Sequence, residues 1–199
     1  MNEITSTLFT IAKDVKIQIE FNPERIAEYR LIGYETRLLG REDFNNDQVD
    51  AGDVGAGHSV TAIYEITPVS SKSRLIDDFR YGKEGTAAKA RSEDKSDEYA
   101  FLKIRYKLPN EEESHLMTKP IGRESEYISF AKVPGEARFA SAVAAFGQLL
   151  REDPYLKNFT YSDVVTLAEN VRGKDRFGYR AEFLNLVRLA KTARAMGDN

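Results

Sequence analysis

The chain has 199 residues, of which 41% are hydrophobic and 31% are charged, and its net charge at neutral pH is −3. These values are typical of a globular protein long enough to bury its own core, and the slightly negative charge argues against nucleic acid as a partner. The sequence contains no Cys, which excludes disulfides, thiolate metal sites, iron–sulfur clusters and thiol nucleophiles. Because no apolar run approaches about 20 residues, we expect no direct membrane insertion by this chain.

The first half of the chain shows the period-2 alternation that is typical of strands with one buried face. Apolar residues alternate with polar ones from Val15 to Phe21, which predicts a strand. Residues 7–12 either extend this strand or end a helix. After the turn at Asn22-Pro23, the alternation from Ala27 to Leu31 predicts a second strand.

Two further strands are predicted, each ended by a proline. One runs from Val60 to Ile66 before Pro68, and the other runs from Leu102 to Leu108 before Pro109. Polar segments between these strands predict loops at 41–57, at 83–98 and around 110–115.

After Pro134-Gly135 the hydrophobic period changes to 3.6, which predicts three helices. The first should stop before Pro154, and its apolar face comprises Phe139, Ala142, Val143, Phe146 and Leu150. The second begins with a capping-box pattern at Thr160 and Asp163 and continues with Val164, Leu167, Ala168 and Val171. The third runs from about Tyr179, and its inward residues are expected to be Phe183, Leu186, Val187 and Ala190.

Strands followed by helices predict an α+β fold, with an N-terminal antiparallel β-sandwich or sheet and a C-terminal three-helix segment. The expected boundary separates a β-rich domain at 1–133 from a helical subdomain at 134–199. The two parts either fold separately or share one core.

Five long strings in the sequence resemble one bacterial family. They occupy Leu8–Pro23 (LFTIAKDVKIQIEFNP), Ala27–Leu39, Glu42–Val69, Ala137–Arg151 and Phe177–Ala190. Together they resemble the C-terminal domain of bacterial von Willebrand factor type A proteins of the YfbK type. The resemblance implies an upstream type A domain with a metal-dependent adhesion site, whose Asp-x-Ser-x-Ser string does not occur in this chain. It also implies a cell-envelope protein, periplasmic or surface-exposed, that is anchored as a lipoprotein through its N-terminus.

The acidic loop at 43–53 is the candidate metal site. Oxygen-bearing side chains recur there at short intervals, as a hard cation such as calcium requires, at Asp43, Asn45, Asp47, Asp50 and Asp53. An EF-hand would place Gly sixth and Glu twelfth, where this loop has Gln48 and Val54. A solvated turn with carboxylates that cap backbone N–H groups is the competing interpretation.

Other candidate residues have a simpler structural interpretation. Gly52, Gly55 and Gly57 are not followed by the Gly-Lys-Ser/Thr string of a phosphate loop, so they are interpreted as turn glycines. His58 and His115 have no partner in the sequence that would make a nucleophilic triad.

The charged and aromatic runs likewise have a structural interpretation beside a functional one. Glu111 to Glu113 are expected in a solvated turn, since an acid catalyst needs a carboxyl group in an apolar site. Lys103, Arg105 and Lys107 alternate on one strand face, which is either a solvated face or a surface for an acidic partner. The aromatic residues at helical spacing are expected to pack, namely Phe139, Phe146, Phe177, Tyr179 and Phe183.

The sequence therefore predicts a non-catalytic structural or interaction module that is accessory to an upstream type A domain and has a protein partner. A calcium-binding regulatory module based on loop 43–53 is the alternative. A hydrolase whose site is shared with the upstream domain, and which uses His58, is a third hypothesis.

Overall fold

The computed structural model describes residues 9–33, 40, 42–49, 51–76, 97–156 and 158–197. Its strands are β1 (Thr10–Phe21), β2 (Ile26–Ile32), β3 (Gly52–Gly55), β4 (Ile63–Pro68), β5 (Glu98–Lys107) and β6 (Ser114–Gly122). Its helices are α1 (Gly135–Leu150), α2 (Tyr161–Glu169) and α3 (Tyr179–Gly197). Strands followed by helices confirm the predicted α+β class. The chain divides into a β-rich unit, Met1–Glu126, and a helical unit, Tyr127–Asn199.

The β-rich unit contains two antiparallel sheets. The larger has the strand order β3-β1-β5-β6, and the smaller pairs β2 with β4. In the larger sheet Ile17 pairs with Ile104 and Phe21 with Ala100, so these residues share one face. The ring of Phe21 stacks on that of Tyr29 in β2, with centroids 4.3 Å apart. Lys16 and the other alternating polar residues of β1 therefore lie on the opposite face.

A β-bulge interrupts β1 between Lys13 and Lys16, where the two residues Asp14 and Val15 face one residue of β5, Tyr106. Asp14 has a φ of +49° at this point. Asp is one of the few residues other than Gly that tolerates the left-handed region, so the bulge suits the sequence. Residues Thr10–Ala12 continue the strand beyond the bulge, which decides the alternative in favour of strand for these residues, while residues 7 and 8 lie outside the described part of the chain.

The polar loops contain more structure than the sequence predicts. The predicted loop at 41–57 contains strand β3 and a short 3-10 turn, Glu42–Asn45, whose Phe44 is buried. Strand β6 follows a short turn and includes His115, which was expected in a loop. Strand β4 begins at Ile63, three residues after the predicted start at Val60. The predicted loop at 83–98 lies outside the described residues, apart from Asp97 in a turn and Glu98 at the start of β5.

The prediction missed β6 because Lys119 and Pro120 interrupt its hydrophobic pattern. Pro cannot donate a hydrogen bond to a neighbouring strand, so it is confined mainly to edge strands. Strand β6 is at the edge of the sheet, and Pro120 pairs with Phe101 of β5. The edge position therefore explains why this sequence can form a strand.

The helical unit has its own core, formed by six buried residues: Ala142, Ala145, Val164, Ala168, Leu184 and Val187. Phe146 and Phe183 pack against it edge to face, with ring centroids 5.5 Å apart. Because Ala142 and Ala145 are small, they allow the helices to approach closely. The described residues include no helix that combines the length and apolar character needed to cross a bilayer.

The inward faces of α1 and α3 differ from those predicted. Val143 and Leu150 of α1 are 43% and 55% exposed, and Leu186 of α3 is 52% exposed. Leu184 is buried in α3 instead, and Leu186 lies roughly 160° around the helix from it. The prediction for Leu186 was wrong because α3 carries large apolar residues on two opposite faces.

Helix α2 begins at the predicted capping box. The Thr160 hydroxyl accepts a hydrogen bond from the Asp163 N–H, and the Thr160 N–H donates to Asp163 Oδ2 at 2.8 Å. The hydroxyl also donates to the same oxygen at 2.6 Å. Hydrogen bonds from the Thr160 hydroxyl and then from its N–H lower the pKa of Asp163 below its ordinary value, against a smaller opposing effect of burial.

Because this pKa is lowered on folding, Asp163 stabilises the fold above its unfolded-state pKa near 3.8, and this stabilisation is lost as the pH falls through the lower folded-state value. Asp163→Asn should therefore lower the urea midpoint at pH 7, and its difference from the wild type should shrink below pH 4. Urea unfolding of both proteins from pH 7 to pH 2.5, followed by circular dichroism at 222 nm, measures this. A difference that stays constant over that range would contradict the capping role.

Candidate functional site

Two of the predicted calcium ligands contact side chains of β5 and β6. Asn45 Oδ1 accepts a hydrogen bond from the guanidinium of Arg105 at 3.3 Å. Asp47 Oδ1 accepts a hydrogen bond from the Ser114 hydroxyl at 2.8 Å and lies 3.4 Å from Arg105 Nε. The loop is therefore docked on β5 and β6 through these oxygens.

The other described ligands bond to backbone N–H groups. Asp43 Oδ2 accepts from the Gly40 N–H at 3.1 Å, and Asp53 Oδ1 accepts from the Asp14 N–H at 3.2 Å. Asp50 lies outside the described residues. Within the described ranges no three His, Asp or Glu side chains are grouped as a metal site requires. Calcium binding stays a prediction, which calcium titration with the melting temperature as readout can test.

A buried lysine lies beneath the docked loop. The side chain of Lys16 is 0% exposed, and its Nζ donates to the Asn46 carbonyl at 2.7 Å. The same Nζ lies 3.2 Å from Asp14 Oδ1, and Lys107 Nζ lies 3.4 Å from Asp14 Oδ2. We call Asp14, Lys16, Asp47, Arg105 and Lys107 the ion cluster. It joins the β1 bulge, the acidic loop and β5.

The environment of Asp47 favours its charged form. The hydrogen bond from Ser114 lowers its pKa most, the positive charges of Arg105, Lys107 and Lys16 lower it further, and burial opposes them. A general acid at neutral pH needs the opposite shift. Asp47 is thus suited to hold the loop against the sheet.

The basic face of β5 meets carboxylates of the same chain. Lys103 Nζ lies 3.5 Å from Glu20 Oε2, while Arg105 and Lys107 belong to the ion cluster. The alternation that suggested either a solvated face or an acidic partner thus corresponds to intramolecular ion pairs.

The two histidines lie in different surroundings. His115 Nε2 is 2.6 Å from Glu111 Oε2, and its ring lies 5.6 Å from that of Tyr106. His58 is exposed, and its N–H donates to the Gly55 carbonyl at 3.1 Å in the turn that follows β3. Glu112 and Glu113 are exposed.

The loop glycines occupy strand and turn positions. Gly52 and Gly55 lie at the two ends of β3, and Gly57 has a φ of +77° in the turn that follows. Gly is the residue best suited to such a φ, which agrees with the interpretation of a turn glycine at 57.

A groove between α2 and α3 was not predicted from the sequence. It has a volume of about 290 Å³, and its lining comprises Glu169, Arg172, Ala181, Leu184, Asn185 and Arg188. The guanidinium of Arg188 pairs with Glu169 and lies 3.4 Å from Asn185 Oδ1. Because the lining residues come from two helices and their connection, no local pattern could indicate the groove.

Helix α3 also exposes a second apolar face, which we call the α3 stripe and define as Leu186, Leu189, Ala193 and Met196. Leu186, Leu189 and Met196 are 52%, 67% and 75% exposed, and Ala193 is exposed between them. Their spacing of three or four residues places them on one side of the helix, roughly opposite Leu184. The spacing was visible in the sequence, but it could not show which apolar face is buried.

Comparison with known proteins shows that residues 6–193 match the family described as "Uncharacterized protein YfbK, C-terminal". The chain belongs to this family. It is 46% identical over 190 residues to the uncharacterized protein YfbK of Escherichia coli (strain K12), a match that covers 95% of the chain and 31% of the relative. The chain therefore spans about a third of that relative's length. No solved structure matches.

Proposed function

We propose that this chain is a non-catalytic interaction module of a longer envelope protein, in which it lies next to a von Willebrand type A domain. The exposed α3 stripe carries the proposal. Exposed apolar patches on folded proteins commonly mark protein contacts, and this one spans more than two turns of a regular helix. A protein surface that covered Leu186, Leu189 and Met196 would remove their apolar area from water.

The chemistry of the β-rich unit supports a scaffold role. Charged side chains of this unit hold the acidic loop to the sheet, as the contacts of Asp47 and Lys16 illustrate. Their hydrogen bonds and ion pairs join segments far apart in sequence. Such contacts stabilise a fixed surface that a neighbouring domain can contact.

The length of the relative supports membership of a larger protein. The chain corresponds to 31% of that protein, so a family member of similar length has about two thirds of its residues outside this region. The resemblance in the sequence implies a type A domain there and a lipid anchor at the N-terminus. We propose that this region supplies the surface that covers the α3 stripe.

Oxidation of Met196 by hydrogen peroxide tests the proposal. An exposed Met is oxidised readily, and burial slows the reaction. We expect Met196 to be oxidised at least threefold more slowly in the full-length protein than in this chain alone, as measured by mass spectrometry. Leu189→Glu in the full-length protein should restore the fast rate, whereas Leu75→Glu, at a 61% exposed position of the β-rich unit, should not. Equal rates in the two proteins would contradict the proposal.

A further inference from the structure

We infer that the groove between α2 and α3 binds an acidic segment of the region that covers the α3 stripe, in which a Glu or Asp is flanked by large apolar residues. This inference rests on the proposed function, because the groove adjoins the α3 stripe at Leu189 and the same covering region would contact both.

Two hydrogen-bond donors of the groove are unused within the described part of the chain. The guanidinium of Arg172 makes no hydrogen bond or ion pair there. Burial has the largest single effect on the pKa of Asp175 and raises it, but the opposing effects, which include the charge of Arg172, together lower this pKa. The amide oxygen of Asn185 accepts from Arg188, and its NH₂ has no acceptor among the described residues. A guanidinium and an amide together match the two oxygens of a carboxylate.

The charge of the groove also favours a single carboxylate. Glu169 neutralises Arg188 through their ion pair, so the lining keeps one positive charge from Arg172. One incoming carboxylate would bring this charge to zero. Ala181 and the buried Leu184 contribute apolar lining to the groove.

The surroundings of the groove are basic although the chain as a whole is acidic. Residues 169–197, which include every lining residue, contain seven basic side chains and three acidic ones, within a chain of net charge −3. Arg180, Arg188 and Arg194 pair with Glu136, Glu169 and Glu152, and besides these the range contains four basic and two acidic side chains. Electrostatic complementarity therefore favours an acidic partner over a basic one.

Apolar contacts are available beside the groove. Leu189 follows Asn185 by four residues, so the two share one side of α3, and Leu189 is 67% exposed. A partner residue next to the carboxylate can pack on Leu189 while the carboxylate occupies the groove. An amphipathic acidic segment can contact both the groove and Leu189, whereas a free carboxylic acid can contact only the groove.

Fluorescence anisotropy with two labelled synthetic peptides tests the inference on the whole chain. One peptide is a 14-residue repeat of Leu and Glu with helical spacing, and the other has Gln in place of each Glu. We expect saturable binding of the Glu peptide and at least tenfold weaker binding of the Gln peptide. Arg172→Ala should weaken binding of the Glu peptide about tenfold, because a hydrogen bond to a charged group is lost.

Lys132→Ala is the matched control, since it removes the same charge from the helical unit at an exposed position outside the groove lining. It should leave the affinity unchanged. Failure of the Glu peptide to bind, equal binding of both peptides, or equal losses in Arg172→Ala and Lys132→Ala would overturn the inference. Binding of free citrate as tight as that of the Glu peptide would also overturn it, in favour of a small-molecule site.

The outcome is separable from that of the proposed function. If the full-length protein protects Met196 and Leu189→Glu abolishes this protection while Arg172→Ala does not change peptide binding, the interaction surface stands and the acidic partner is wrong. If Met196 is not protected, the proposed function itself fails.

Discussion

Asp14→Asn is expected to destabilise the β-rich unit by about 3 kcal/mol, because it leaves a buried ammonium group without its carboxylate. Lys16 is 0% exposed, and Asp14 is also the ion-pair partner of Lys107. Asn tolerates a positive φ nearly as well as Asp, so the substitution keeps the bulge and removes only the charge. Urea unfolding at pH 7, followed by tyrosine fluorescence, measures the change.

The double variant Asp14→Asn with Lys16→Met is the control. It removes the ammonium group as well, and Met replaces the length of the Lys side chain with an apolar one. We expect the double variant to be more stable than Asp14→Asn alone, since buried ion pairs can often be replaced by apolar residues at little cost. A loss below about 0.5 kcal/mol in the single variant, the usual size of a surface effect, would show that the pair contributes little to stability.

The second large effect is expected in α3. Leu184→Ala should cost about 3 kcal/mol, because it empties a buried position in the core of the helical unit. Leu186→Ala and Leu189→Ala make the same chemical change at positions that are 52% and 67% exposed, and each should cost less than about 0.5 kcal/mol. Unfolding followed by circular dichroism at 222 nm compares the three. A cost for Leu186→Ala equal to that for Leu184→Ala would mean that the α3 stripe faces the core.

Local patterns were sufficient to predict the elements that depend on neighbouring residues. The alternation from Val15 to Phe21 indicated β1 because one face of the strand is apolar along that stretch. The capping box at Thr160 was predicted because its hydrogen bonds join residues only three apart. The proline at 109 likewise limited β5, since it restricts the residue immediately before it.

Features that depend on contacts distant in sequence were not predictable. Lys16 alternates with apolar residues, a pattern typical of a solvent-facing side chain, but the acidic loop covers it through the carbonyl of Asn46, 30 residues away. Ser114 bonds to Asp47 across 67 residues. The sequence shows that these charged and polar groups are present, but it does not show which of them contact each other.

The same reasoning explains what was missed at the candidate site. The oxygens of the acidic loop were recognised as a group, yet Asn45 and Asp47 interact with the basic strand face that was interpreted separately. In α3 the periodicity allowed more than one inward face, and only the packing of Leu184 against α1 and α2 distinguishes them.

The rate of Met196 oxidation in the complete protein tests the central claim most directly, since Met196 is 75% exposed on the α3 stripe of this chain. If α3 is a docking surface, the remainder of the protein shields this sulfur atom and the rate falls at least threefold until Leu189 is replaced by Glu. A sulfur atom oxidised equally fast in the short and complete proteins would mean that the stripe stays open to solvent and that the chain is not the interaction module proposed.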